Sequence, residues 1–152
     1  MIYLKEITND EMLDECVGLK IKDGQRLFSN AYSLAEAWLQ DKIKEVELNP
    51  FCIYKDDTMV GFAMLLYCEP EKYLSIYRFM IDEKYQGMGY GKEAMKVVMK
   101  YINDNPLFED CTVGLDVHRD NNFAINLYKN FGFLFTGEVD ENGEMEMELK
   151  RT

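Results

Sequence analysis

The hexapeptide Gln86-Gly87-Met88-Gly89-Tyr90-Gly91 places a glycine at every second position, so its backbone can approach a ligand with no Cβ atoms in the way. Ahead of it, residues 75–81 alternate and are rich in aromatic and β-branched side chains, the pattern of a strand. Behind it, from Lys92 onward, the apolar Ala94, Met95, Val98 and Met99 recur at helical spacing. A strand, a glycine loop and a helix start leave several N–H groups without intrahelical partners, and the helix dipole adds partial positive charge there. The chemistry this arrangement suits is anion binding, most often of phosphate.

Spacing separates the known phosphate loops. A nucleotide P-loop needs Gly-x-x-x-x-Gly-Lys-Ser/Thr; here Gly91-Lys92 is followed by Glu93, and Gln86 stands where the first glycine belongs. The dinucleotide fingerprint comes nearer, since Gly89-x-Gly91-x-x-Ala94 satisfies its relaxed form and Glu109 or Asp110 lies about twenty residues on. That fingerprint requires the strand to run straight into the first glycine, whereas residues 82–86 intervene.

Gln86-x-x-Gly89-x-Gly91 resembles the Gln/Arg-x-x-Gly-x-Gly/Ala signature of the GNAT N-acetyltransferase superfamily. Downstream, Asn121-x-x-Ala124-x-x-Leu127-Tyr128-x-x-x-Gly132-Phe133 resembles that family's C-terminal motif. The resemblance implies acetyl-CoA as cofactor, its pyrophosphate met by backbone N–H groups of Gln86, Gly87, Met88, Gly89, Tyr90, Gly91 and Lys92. It implies that the backbone around Phe79, Met80 and Ile81 pairs with the pantetheine arm and offers an N–H to the thioester oxygen. Tyr128 becomes the candidate general acid, because a phenol of pKa about 10 can protonate a thiolate of similar basicity; the competing reading is a core aromatic on an amphipathic helix. Asn121 matches the motif's asparagine and either contacts the cofactor or caps the helix.

The base that deprotonates an acceptor amine is unassigned by the resemblance. In polyamine acetyltransferases a glutamate lies two residues ahead of the Phe79 position; here that residue is Tyr77, flanked by Arg78. Glu69, Glu71, Asp116 and His118 are the substitutes, each with a surface or strand-end reading beside it. Blocks at residues 25–35, 60–64, 78–82 and 131–133 resemble bacterial spermine/spermidine (diamine) acetyltransferases. A polyamine site needs spaced carboxylates and an aromatic wall, which Glu36, Glu69, Glu71, Phe28, Tyr32, Trp38 and Tyr77 could supply. Other acceptors of the same superfamily (a protein N-terminus, a ribosomal protein, an aminoglycoside, an amino acid) and a non-catalytic acyl-CoA-binding module stay open. Peptide acceptors predict an open groove with exposed strand edges rather than an acidic pocket.

The elements that must position these residues follow from periodicity and turns. Residues 2–7 alternate as a strand; Asn9 or Asp10 caps a helix carrying Met12, Leu13, Cys16, Val17 and Leu19; residues 22–30 read as a loop or a broken helix. Ser33, with Glu36 three residues on, predicts a capping box for a helix through Val46 that stops before Pro50. Strands are expected at 51–54, 59–67, 73–82 and 111–117, the last parallel to the one before the glycine loop if the helix between them is a right-handed crossover. A short helix over 121–130 ends at Gly132, and strands 133–139 and 144–150 form a hairpin across Asn142-Gly143. In its second arm Glu144, Glu146 and Glu148 alternate with Met145, Met147 and Leu149: one face apolar, the other a ladder of carboxylates. The expectation is an α/β fold: a mostly antiparallel, twisted sheet of about seven strands with one parallel pair splayed around the cofactor, and about four helices.

At 152 residues the chain is expected to be a single domain, 1–152, burying about two-thirds of its unfolded surface. No apolar run reaches the eighteen residues of a membrane span. The first residues do not resemble a signal peptide, so a soluble cytoplasmic protein is expected. Cys16, Cys52, Cys68 and Cys111 are isolated in sequence and there is one histidine, which encodes neither a zinc site nor a disulfide framework. The net charge of −11 argues against nucleic acid as partner and is compatible with a cationic small-molecule amine. The half-apolar hairpin and the resemblance are compatible with a homodimer. With no base beside any cysteine in sequence, direct attack by the amine in a ternary complex is expected rather than an acetyl-enzyme.

Overall fold

In the computed structural model, which describes residues 1–21 and 29–151, the elements follow in the order β1 (Ile2–Lys5), α1 (Asp10–Gly18), α2 (Asn30–Ile43), β2 (Glu47–Lys55), β3 (Thr58–Cys68), β4 (Tyr73–Ile81), α3 (Tyr90–Asp104), β5 (Thr112–His118), α4 (Asn122–Asn130), β6 (Phe133–Val139) and β7 (Glu144–Leu149). The strands make one sheet in the order β1-β2-β3-β4-β5-β7-β6. Every neighbouring pair is antiparallel except β4 and β5, joined through α3. This is the α/β arrangement expected from periodicity, including its single parallel pair.

Two apolar layers hold it. On one face α3 buries Ala94, Met95, Val98, Met99 and Ile102, and α4 buries Ile125 and Tyr128, over Ala63, Leu65, Ile76, Leu115, Val117 and Met147. On the other face α1 brings Met12 and Cys16 against Cys52, Phe62, Met64 and Met80, with Leu34 and Ala37 of α2 at the margin. Burying each large apolar side chain contributes about 1.5–3 kcal/mol, so the helical spacing seen in the sequence is what docks each helix.

The parallel pair is short. β4 and β5 are in register only at Tyr73/Thr112, Leu74/Val113 and Ser75/Gly114. Just past that point the β3–β4 register shifts: Met64 opposes Arg78 while Leu65 opposes Ile76, leaving Tyr77 as the extra residue of a bulge. A bulge bends its strand and increases its twist. β4 therefore turns away from β5, and the two diverge to Ile81 and His118 with a cleft between them.

Two expected boundaries are corrected. Ser33 does not cap α2; the helix begins one turn earlier, with Ser29 accepting from the Tyr32 N–H at 3.1 Å. Ser33 is buried inside the helix, where its hydroxyl accepts from Arg78 Nε at 3.2 Å, and Glu36 reaches the same guanidinium, so a long-range partner has claimed both halves of the expected box. Nor does Pro50 stop a helix. α2 ends at Ile43 with Lys44 left-handed (φ 60°), and Pro50 lies inside β2. β1 pairs with β2 only from Cys52 to Lys55, so Pro50 lies where β2 has a neighbour on one side alone, the edge position in which a strand tolerates proline. Of the stretch expected as a loop, residues 22–28 lie outside the described residues.

Candidate active site

The glycine loop closes the wide end of the cleft. After β4 a single 3-10 turn, Glu83–Tyr85, is capped by Asp82, and Gln86 Nε2 donates back to the Ile81 carbonyl at 2.8 Å, tying the loop to the strand it leaves. Gly87 and Gly89 both have φ 81°, a left-handed conformation that side chains disfavour, and nothing lies within 4 Å of where a Cβ would stand on either. Gly89 is the N-cap of α3 and no side chain caps that helix. Its first-turn N–H groups and the positive end of its dipole are thus offered to the space beside the loop, and Lys92 lines the same space. These residues fit an anionic group with several oxygens, such as a pyrophosphate.

The cleft has a volume of about 450 Å³. β4 lines it with Phe79, Met80 and Ile81, all beyond the last β4–β5 pair, so backbone groups on that edge have no β5 partner. β5 contributes Asp116, Val117 and His118, and β7 contributes Glu144. From α4 come Phe123, Ala124, Asn126, Leu127, Asn130 and Tyr128. Phe123, Leu127 and Asn130 share one helical face by spacing, the signal that could have marked them in the sequence. Gln86, Gly87, Gly89, Gly91, Lys92 and Asn121 line the cleft; Met88 and Tyr90 are in the loop and helix start but not among its lining residues. Asn121 caps α4, its Oδ1 accepting from the Ala124 N–H at 3.2 Å.

Tyr128 is 7% exposed and stacks edge-on to Phe133 with centroids 6.1 Å apart. Its hydroxyl has no hydrogen-bond partner among the described residues, which leave no fully buried side-chain oxygen or nitrogen unpaired. The hydroxyl therefore keeps an opening into the cleft. Burial raises its pKa well above that of an ordinary phenol, so it holds its proton throughout the physiological range.

Asp116 is the carboxylate that β5 brings to the cleft. Its pKa is raised by desolvation, then by Glu146, its cross-strand neighbour, and by Asp140. No cation among the described residues offsets it. His118 is buried and its Nδ1 accepts from the Asp120 N–H at 3.1 Å, so that nitrogen holds a turn in place and is not available to take a proton from a ligand.

The acceptor-side residues divide. Tyr77, at the bulge, donates to Glu36 Oε2 at 3.0 Å, and Arg78 Nη2 donates to Glu36 Oε1 at 2.8 Å, so α2 and β4 meet through one carboxylate. Tyr32 lies one turn before Glu36 and is 53% exposed. Glu69 is not brought to the cleft: it sits in the turn after β3, at the opposite end of β4 from the glycine loop, where it lines a separate groove of about 550 Å³ beside the end of α2. Phe28 lies outside the described residues. The cysteines, isolated in sequence, are not all isolated in space: a hydrogen bond between the buried Cys16 and Cys52 thiols raises the pKa of the first and lowers that of the second. None of the four lines the cleft. Among the described residues no helix is long and apolar enough to cross a membrane.

Comparison with known proteins bears on this geometry. Residues 15–133 match the acetyltransferase (GNAT) family. The chain is 38% identical, over 96% of its own length and 96% of the relative's, to a spermine/spermidine N(1)-acetyltransferase of Bacillus subtilis. Among solved structures it is similar to Arabidopsis thaliana Naa50 in complex with a bisubstrate analogue, with a TM-score of 0.69, 18% identity and 99% of each chain covered. It is also similar to the PaiA N-acetyltransferase of Thermoplasma acidophilum in complex with coenzyme A, with a TM-score of 0.67, 18% identity and 99% of each chain covered.

Proposed function

The chain belongs to the acetyltransferase (GNAT) family and is an acetyl-CoA-dependent N-acetyltransferase; on that premise we propose that its acceptor is a polyamine, acetylated by direct attack of a primary amine in a ternary complex. The observation that carries this reading is one cleft with two electrostatic sides. Following β4 stand the glycine loop, the uncapped N-terminus of α3 and Lys92; on β5 and β7 across the cleft stand Asp116 and Glu144. An anionic cofactor and a cationic acceptor suit such a cleft from opposite sides. The similarity to a spermine/spermidine acetyltransferase over nearly the whole chain supports the choice of amine.

Gln86 to Lys92 would hold the pyrophosphate of acetyl-CoA, and the unpaired edge of β4 from Phe79 to Ile81 would pair with its pantetheine amides. When bound, the cofactor supplies an activated acyl carbon and a thiolate leaving group. Asp116 takes the proton that an ammonium of pKa about 10 must lose before its nitrogen becomes a nucleophile. Its raised pKa, the result of desolvation and of Glu146 and Asp140 nearby, makes it a stronger base than an ordinary aspartate. Tyr128 Oη, protonated and without a partner among the described residues, donates to the sulfur position; the desolvation that weakens it as an acid also raises the basicity of a thiolate beside it. Tyr77 and Glu36, joined at the bulge, hold α2 against the acceptor side. That no cysteine lines the cleft supports direct attack without an acetyl-enzyme.

The experiment is thiol release from acetyl-CoA with purified protein, across spermine, spermidine, putrescine, lysine, an aminoglycoside and a peptide N-terminus. Turnover concentrated on the polyamines is expected. Turnover with only one of the other amines would remove the polyamine from the proposal and keep the transfer; acetyl-CoA binding with no turnover on any amine would remove the reaction.

A further inference from the structure

The helices leave one part of the sheet bare. On the face where α1 and α2 cover β2 and β3, the strands β5, β7 and β6 carry no described helix. Residues alternate across a strand, so Asp116 of β5 and Glu146 and Glu148 of β7 share this face, away from the Val113, Leu115, Val117 and Met147 that enter the core. Asp116 and Glu146 are direct cross-strand partners. Like charges opposite one another destabilise a sheet, yet neither these two nor Glu148 has an ion-pair partner among the described residues. Glu36, by contrast, is already neutralised by Arg78.

The row is built into a site. Glu148 opposes Gly114 across β5–β7, and a Cβ on Gly114 would stand 2.3 Å from the Tyr73 hydroxyl. The glycine thus lets the Tyr73 phenol lie over β5 beside Glu148. Leu134 of β6, exposed, flanks Glu148 from the other side. Asp116 at the head of the row lines the same cleft as Tyr128, a side chain more than nine-tenths buried whose hydroxyl is unpartnered there. From the cleft outward the order is then Asp116 with Glu146, then Glu148 between an aromatic ring and an aliphatic side chain.

We infer that Glu146 and Glu148 form a length gauge for the acceptor, reading the charged nitrogens beyond the one that reacts near Asp116. The inference rests on the polyamine reading above. Successive same-face residues of a strand stand about 7 Å apart, comparable with the three or four methylenes that separate nitrogens in a polyamine. Tyr73 and Leu134 offer apolar surface to those methylenes. Glu146 serves the second nitrogen of any acceptor and Glu148 the third, so long polyamines gain a contact that diamines cannot make.

The test is steady-state kinetics of the full chain and of Glu146→Gln and Glu148→Gln with putrescine, spermidine and spermine. For Glu148→Gln, KM is expected to rise about tenfold more for spermine than for putrescine, as losing one charged contact does. For Glu146→Gln the rise should be shared by all three amines. Thermal unfolding controls for folding, and relief of the Asp116–Glu146 repulsion predicts that Glu146→Gln melts no lower than the parent. Equal KM changes across the series for Glu148→Gln, or none, overturn the gauge while parent turnover on polyamines leaves the reading beneath it standing. Parent protein that acetylates no polyamine overturns both.

Discussion

The Arg78 guanidinium donates to Glu36 Oε1 at 2.8 Å across the gap between β4 and α2, and it packs over the Tyr77 ring with 4.0 Å between the guanidinium carbon and the centroid. Both side chains of the ion pair are largely shielded, 11% and 23% exposed. Glu36 thus braces the bulge from which the cleft opens.

Replacing Glu36 by alanine takes from Arg78 its carboxylate partner in a part-buried site, while the bonds to Ser33 and to a backbone carbonyl stay. The expected loss is about 2 kcal/mol of unfolding free energy, since a charged hydrogen-bonding partner has been removed. Urea denaturation reads it directly. A Glu36→Ala protein as stable as its parent, with KM for long amines selectively raised, would instead assign Glu36 to the acceptor.

Tyr128→Phe keeps the ring against Phe133 and removes one hydroxyl that no described residue bonds to. Stability should hold, acetyl-CoA affinity by calorimetry should hold, and kcat should fall by about a hundredfold, the scale of a lost general acid. Unaltered kcat would return Tyr128 to the role of a core aromatic.

Asp116→Asn separates activity from stability. The folded-state pKa of Asp116 is raised, so its contribution to stability is fully present below the unfolded value and is lost as pH rises through the folded one. At neutral pH the asparagine variant should therefore melt at or above the parent temperature while kcat/KM collapses. In the parent, kcat/KM should fall on the acid side as the carboxylate becomes protonated; an acid limb that survives in Asp116→Asn would place the base elsewhere.

Gly89→Ala puts a Cβ on a residue at φ 81° with no neighbour to clash with, so any effect is conformational. A left-handed alanine costs about 1 kcal/mol, either as lost stability or as a loop relaxed out of its anion-binding shape. KM for acetyl-CoA should rise several-fold, with KM for the amine little changed. Unchanged acetyl-CoA kinetics would detach the loop from the pyrophosphate.

Much of the scaffold was legible because its signals are local. The alternating glycines of 86–91 announce a loop that must adopt positive φ, and the structure has Gly87 and Gly89 there. Asn142-Gly143 marked a hairpin and Gly143 has φ 83°. The helical stripe from Ala94 to Met99 is the face that α3 buries. Where such reading failed, a distant group had intervened: Ser33 and Glu36 look like a capping box within one turn, and Arg78 recruits both from another element. Pro50 looks like a boundary until the short length of β1 leaves its side of β2 unpaired.

By itself the sequence determined the chain's order of elements, the loop and helix start able to hold a phosphate, and the two signatures that carry its family likeness. Each depends on sterics and hydrogen bonds among residues a few positions apart, which the order of side chains specifies directly. Where each carboxylate stands relative to the cleft was decided only by tertiary structure. Glu36, Glu69, Asp116 and Glu148 are indistinguishable as charges in a string. Strand register set Asp116 against Glu146, the bulge at Tyr77 opened the cleft beside them, an arginine brought in by β4 neutralised Glu36, and the length of β4 carried Glu69 to the far end.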